Sequence, residues 1–323
     1  MPNYRLLSIA AAALLCAVSP AAGQTFPDRP VRILVGAGPG GTGDLIARIL
    51  APYLSESLGQ PFVVENRPGA SSTIAGSAVA TAKADGHTLM LAAANSHAIN
   101  PHLMKTLPYD HIKDFAAVSL VTYSPNALLV NPKVPAKNVA ELVQLLKNNP
   151  GKFNYGSSGI GTSQHLSGEL FKLMTGTTVT HVPFRGASAE VLQNLMSGEI
   201  QMAFDTLASA STHIQAGNVR ALAVASRERS PAFPDLPTVG ETVAGFELTS
   251  WHALFATGGT PRPIVEKLSQ EVAAIVRRPD VDKKLRELGA VPVGSTPDFL
   301  AQHVLAETKK FGDLIREANI KAE

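Results

Sequence analysis

Between Val31 and Thr257 the chain alternates short apolar runs rich in β-branched residues with longer segments whose apolar residues recur at helical spacing. This alternation constrains the fold more than any other feature. A buried strand followed by an amphipathic helix makes a βαβ unit, and successive units build a mainly parallel sheet with helices on both faces. The expected class is therefore α/β. Strands are expected over 31–35, 62–65, 88–92, 117–122, 127–130, 153–155, 179–183, 201–204, 220–225 and 248–256. A helix over 139–147 follows from the spacing of Val139, Leu142, Val143 and Leu146, and Pro150-Gly151 stops it. The last long helix opens at Ser295-Thr296-Pro297-Asp298, a capping residue with proline in the first turn, and should bury Leu300, Val304, Phe311, Leu314 and Ile315. Pro52 interrupts the helical pattern over 45–58 and is expected to bend or break it.

The first residues carry one base, Arg5, then an apolar run from Leu6 to Val18, then small residues at Ala21, Ala22 and Gly23. That is the layout of a cleavable secretory signal peptide over 1–23, and it implies a periplasmic location. The apolar run is shorter than the roughly 20 residues that span a bilayer. The one cysteine, Cys16, lies inside this leader behind Leu14 and Leu15, where a lipid-attachment site usually has small residues. Cleavage would leave a cysteine-free chain, suited to an oxidising compartment. The remaining length of roughly 300 residues suffices for two domains. With 28 Lys and Arg against 26 Asp and Glu and no basic run, nothing points to nucleic acid.

Buried-strand pattern gives way to polar sequence with a nearby proline at Tyr123-Ser124-Pro125 and again over 226–230. If the chain crosses between two lobes at these points, residues 126–225 form one lobe, and 24–125 with 226–323 form the other.

Two glycine- and hydroxyl-rich junctions stand out, VRILVGAGPGGTGD from Val31 and FNYGSSGIGTSQH from Phe153. Where an apolar strand feeds a small-residue loop that opens a helix, unpaired backbone N–H groups and the positive end of the helix dipole converge on one spot, which favours an anion. Each expected lobe carries one such turn. Taken locally, Gly36, Gly38 and Gly41 also spell G-x-G-x-x-G, with Glu65 ending the next strand, so a Rossmann-type flavin or nicotinamide oxidoreductase is the alternative reading. The leader lacks the twin arginine expected for a prefolded cofactor enzyme, and the second turn needs its own explanation. Ser157, Ser158 and Ser163 could suggest a hydrolase, but G-S-S-G-I-G lacks the G-x-S-x-G elbow. The scattered histidines have no metal-ligand spacing. No catalysis, cofactor or metal is expected.

Stretches in a fixed order carry a resemblance along nearly the whole mature chain. They include FPDRPVR from Phe26, PGGTGD from Pro39, VENRPGA from Val64, ADGHTLM from Ala84, NPHL from Asn100, YGSSGIGT from Tyr155, HVPFRG from His181, RALAV from Arg220 and PDLPT from Pro234. In these the chain resembles the Bug-type substrate-binding proteins of tripartite tricarboxylate transporters. The resemblance implies a two-lobed, type II periplasmic binding protein fold with a cleft that closes on a small carboxylated solute. It also implies delivery to the transporter's membrane subunits or to a periplasmic sensor domain, by a monomer. By position, it places a carboxylate grip at Gly40, Gly41 and Thr42 on the first turn and at Ser157, Gly161, Thr162 and Ser163 on the second. Ala70, Ser71, Asn95, Ser96 and Asp205 would read the rest of the solute. Ala37, Asp44, His165 and Arg185 are secondary candidates, with bracing or capping as the plainer role for the last three. The chain departs from the family at Gly36-Ala37-Gly38, where proline and an aromatic residue are common, and this implies a wider or differently shaped pocket.

Overall fold

A computed structural model of the chain describes residues 26–184 and 188–320. The expected leader and Arg185 lie outside the described residues.

The chain first forms β1 (Val31–Val35), α1 (Thr42–Leu58), β2 (Phe62–Asn66), α2 (Thr73–Ala80), β3 (Thr88–Ala93) and the short α3 (Asn100–Leu103), then enters the long β4 (Phe115–Val130). Next come α4 (Val139–Asn148), β5 (Asn154–Ser157), α5 (Ser163–Thr175), β6 (Thr180–Pro183), α6 (Ser188–Ser197), β7 (Met202–Thr206), α7 (Leu207–Gln215) and β8 (Arg220–Val224). It closes with β9 (Thr249–Thr257), α8 (Arg262–Val276), α9 (Pro279–Glu287), β10 (Val291–Pro292) and α10 (Pro297–Glu317). The strand order is β2-β1-β3-β9-β4-β7-β5-β6, with β8 and β10 also paired to β4.

Among the described strands, parallel pairing forms two trios, β2-β1-β3 and β6-β5-β7. Between them β9 and β4 run antiparallel to their neighbours, so the sheet is mixed rather than mainly parallel. The two expected strands at 117–122 and 127–130 are one continuous strand, β4. Its Phe115–Pro125 stretch pairs with β9, and its Asn126–Val130 stretch pairs with β7 and β8. Pro125, which has no N–H to donate, sits where the partners change, and this is why a proline is tolerated in a central strand.

Strands β1, β3 and β7 are buried on both faces, which explains why they read as largely apolar runs. Along β1, Val31, Ile33 and Val35 join one core with Ile46, Leu50 and Leu268, while Leu34 joins another with Met90, Trp251 and Phe311. The same alternation splits β4 beyond Pro125, where Leu128 and Val130 pack with Phe171 and Phe204, and Ala127 and Leu129 pack with Val191 and Leu195. The segment after β8 does not return at once to the first pair of cores. Phe233 and Leu236 pack with Leu129 and Leu195, Phe246 packs with Phe171 and Phe204, and only Leu248 joins the core of Trp251.

Helix α1 runs through Pro52 without ending. Pro52 is exposed, so the carbonyl left without a donor lies on the solvent side. Thr296 caps α10 by accepting from the Phe299 N–H, with Pro297 in the first turn as expected.

Candidate functional site

The turn between β1 and α1 ends at Gly41, which caps the helix with no side chain to offer. Among the described residues nothing accepts from the N–H groups of Thr42 and Gly43, so the positive end of α1 is available to an anion. Gly40 adopts φ +78° and donates its N–H to Asp44 Oδ2 at 3.0 Å. Asp44 Oδ1 accepts from Arg48 and Asn66, both at 2.9 Å. Burial alone would push the Asp44 carboxyl up, but the donors on Arg48, Gly40 and Asn66 outweigh it and hold the group below the usual carboxylate range. Asp44 therefore braces the turn.

The second turn opens α5. Thr162 caps it, accepting from the His165 N–H at 3.3 Å and donating to the Gly159 carbonyl at 2.8 Å. The N–H groups of Ser163 and Gln164 have no acceptor among the described residues. Gly161 adopts φ +76°, a conformation that favours glycine, and its N–H points at His165 Nδ1 at 3.3 Å. Burial pushes the His165 imidazole down to about 4, so at neutral pH Nδ1 is a free acceptor for that bond. Ser157 is fully buried, with its hydroxyl 2.7 Å from His181 Nε2.

The two turns face each other across one cavity of about 710 Å³. Gly41, Thr42, Ala70, Ser71, Asn95, Gly161, Thr162, Ser163 and Ala37 line it. Gly40, Ser96, Ser157, Asp44, His165 and Asp205 stand off its wall. Ser71 lies in a strained stretch, Ala70-Ser71-Ser72, all at positive φ, and donates its hydroxyl to the Ile160 carbonyl at 3.0 Å, joining the segment after β2 to the second turn. Asn95 and Asn100 secure that stretch by donating to the Ser71 carbonyl at 3.0 and 2.9 Å. The Ser96 hydroxyl instead bonds Ala93 O and His97 Nδ1, away from the cavity.

Asp205 has a different place from the one the resemblance implies. Its Oδ1 accepts from Ser188 Oγ and the Thr206 N–H, both at 2.7 Å, and from Gln164 at 3.4 Å. Burial pushes the carboxyl up to about 6, against those three donors. It therefore supports Gln164, Ser188 and Thr206, which line the cavity themselves. Thr206 caps α7 and brings a third helix N-terminus to the site. Its hydroxyl and that of Ser209 meet Thr42 Oγ1, so the walls touch beside the cavity. On the β9 side, His252 lines the cavity with Nδ1 3.1 Å from the Ser124 hydroxyl, and burial pushes it down to about 4, so it is neutral at pH 7.

Gln164, Ser188, Thr206, Ser250 and His252 were not singled out in the sequence. Thr206 was findable, as a third hydroxyl residue closing a buried strand ahead of a helix. His252, in the middle of a strand, carries no local signal.

A model of the tripartite tricarboxylate transporter family receptor matches residues 46–320. The chain belongs to this receptor family. It is 38% identical to a UPF0065 protein of Bordetella pertussis over 100% of this chain and 99% of that one. Among solved structures, a protein of R. palustris with adipate is 39% identical, with a TM-score of 0.89 over 92% of this chain and 99% of the other. MatC from Rhodopseudomonas palustris with bound malate is 34% identical, with a TM-score of 0.83 over 90% and 100% of the two chains. The two-lobed solute-binding fold of these receptors explains the two parallel trios joined by β4 and β9.

Local packing and pairing account for features that suggested a dinucleotide site. A Cβ on Gly36 would lie 2.3 Å from Ser72 Cβ, so close packing requires that glycine. Glu65, placed for a ribose in the alternative reading, is taken by Arg32 at 2.7 and 3.0 Å and by Arg67. The parallel sheet also ends after three strands, because antiparallel β9 follows β3.

Proposed function

We propose that this receptor is exported to the periplasm, captures a small carboxylated solute in the cavity between its two turns, and delivers it to the membrane subunits of its transporter or to a sensor. The observation that carries this reading is the convergence of the N-termini of α1, α5 and α7 on one cavity whose described lining holds no Asp, Glu, Lys or Arg. Backbone N–H groups and hydroxyls supply donors without a countercharge. A hydrogen bond to a charged group contributes about 1.5–3 kcal/mol net, so a handful can reach the roughly −8 kcal/mol of micromolar binding after association costs. The proteins with adipate and with malate support a carboxylate here. The pairing of Glu65 with Arg32 and Arg67 disfavours the dinucleotide alternative. The proposed lobes meet at Pro125 and near Leu248, since Phe233, Leu236 and Phe246 pack with the core of β7.

A rise in melting temperature with added carboxylate tests this directly, because ligand at 100 times Kd stabilises a fold by about 2.7 kcal/mol. A panel of dicarboxylates, aromatic acids and acidic amino acids, each at about 0.1 mM, on the order of 100 times a micromolar Kd, should contain at least one that raises it. Unchanged melting across the whole panel would sink the reading.

A further inference from the structure

The cavity is unevenly lined. Around Thr42 and Thr206 it presents hydroxyls and unpaired N–H groups, whereas Leu103, Met104, Ile160 and Phe184 contribute apolar side chains. Leu103 reaches across to the second turn, with its Cδ1 3.2 Å from where a Cβ on Gly161 would sit, so it meets the Ile160-Gly161 corner. Ala37 adds only a methyl to the wall. A volume of about 710 Å³ exceeds what a carboxylate with two or three carbons fills and falls among pockets that take larger ligands, roughly 300–1,000 Å³. Asn100 Oδ1 and Ser71 Oγ flank Leu103, but a hydroxyl or second carboxylate pressed against Met104, Ile160 or Phe184 would lose its water to side chains that offer no hydrogen bond, whereas a methylene chain or ring would gain by leaving water.

Resting on the carboxylate-receptor reading, we propose that the solute has an apolar body, an aromatic ring or a chain of four or more carbons, lying against Leu103, Met104, Ile160 and Phe184 while its carboxylate meets the helix N-termini. Short hydroxylated dicarboxylates are then poor ligands. Calorimetric titration of the full chain with 4-methylbenzoate, adipate, succinate and malate tests this. At least one of 4-methylbenzoate and adipate should bind tenfold or more tighter than both succinate and malate. Met104→Gln, which keeps the length of the side chain and adds an amide, should weaken the preferred acid at least threefold. Succinate or malate binding as tightly as the better of the other two overturns the inference while leaving the carboxylate receptor standing. Binding of none of the four overturns the inference, and the wider panel then decides the carboxylate reading. The unmodified protein alone decides between these outcomes, so a Met104 variant that fails to fold does not blunt the test.

Discussion

Gly161→Val is expected to raise the dissociation constant for any bound carboxylate at least tenfold, about 1.4 kcal/mol. Two effects act together. At φ +76° a β-branched residue is strained, and the turn would relax away from the geometry that aims the first N–H groups of α5. The added Cβ would also lie 3.2 Å from Leu103 Cδ1, 3.4 Å from Asn100 Oδ1 and 3.6 Å from Ser71 Oγ, where the opposite wall closes on the turn. At 3.2 Å the Leu103 side chain would have to give way. Gly161→Ala should lose less, since it keeps the strain but adds only one atom. Titration calorimetry on the two variants, with circular dichroism as a check on folding, reads the effect. Full affinity in folded Gly161→Val would place the ligand away from the second turn.

The second large effect is acid destabilisation between about pH 6.5 and pH 4. Burial pushes His97 and His252 down to about 3 and about 4, and the stacked pair His165 and His181 to about 4 and about 3. Each is neutral in the fold over a range where the unfolded chain binds a proton. Below pH 6.5 the unfolded state therefore takes up more protons, and stability falls as pH falls until the folded pKa is reached. Asp205 works in the opposite direction. Its carboxyl, raised to about 6, takes up a proton in the fold before it would in the unfolded chain, and it adds stability from pH 6 down to the ordinary carboxylate range. Each imidazole held neutral contributes on the order of 1.4 kcal/mol per pH unit, so the four outweigh the one carboxyl and several kcal/mol should be lost. Melting temperature should fall steeply between pH 7 and pH 4.5. A flat profile across that interval would mean that these imidazoles are not dry.

Local features of the sequence were read well where one segment settles its own structure. Val31 to Val35 form a strand because both faces of that strand are covered, and apolar continuity records this directly. Thr296-Pro297 opens a helix because capping involves only neighbours. The two glycine turns could be recognised because a strand, a small-residue loop and a helix start are consecutive. Long-range pairing left weaker traces. Pro125 suggested a break, yet the strand continues because two different partners take over on either side of it. The return crossing was expected soon after β8, but Phe233, Leu236 and Phe246 hold that segment against the core of β7. Within the cavity the same divide holds. Gly41, Thr42, Gly161, Thr162 and Ser163 belong to the turns and were legible, whereas Asp205 turned out to support its neighbours. Leu103, Ile160, Thr206 and His252 come together only after the chain folds.

A crystal structure of the protein with a tightly bound carboxylate tests the central claim most directly. The expected result is a carboxylate whose oxygens lie within about 3.2 Å of N–H groups at the starts of both α1 and α5, with Thr42 and Ser163 among the residues in contact. A carboxylate bound outside this cavity, or one that touches a single turn and leaves the other more than a hydrogen bond away, would contradict it.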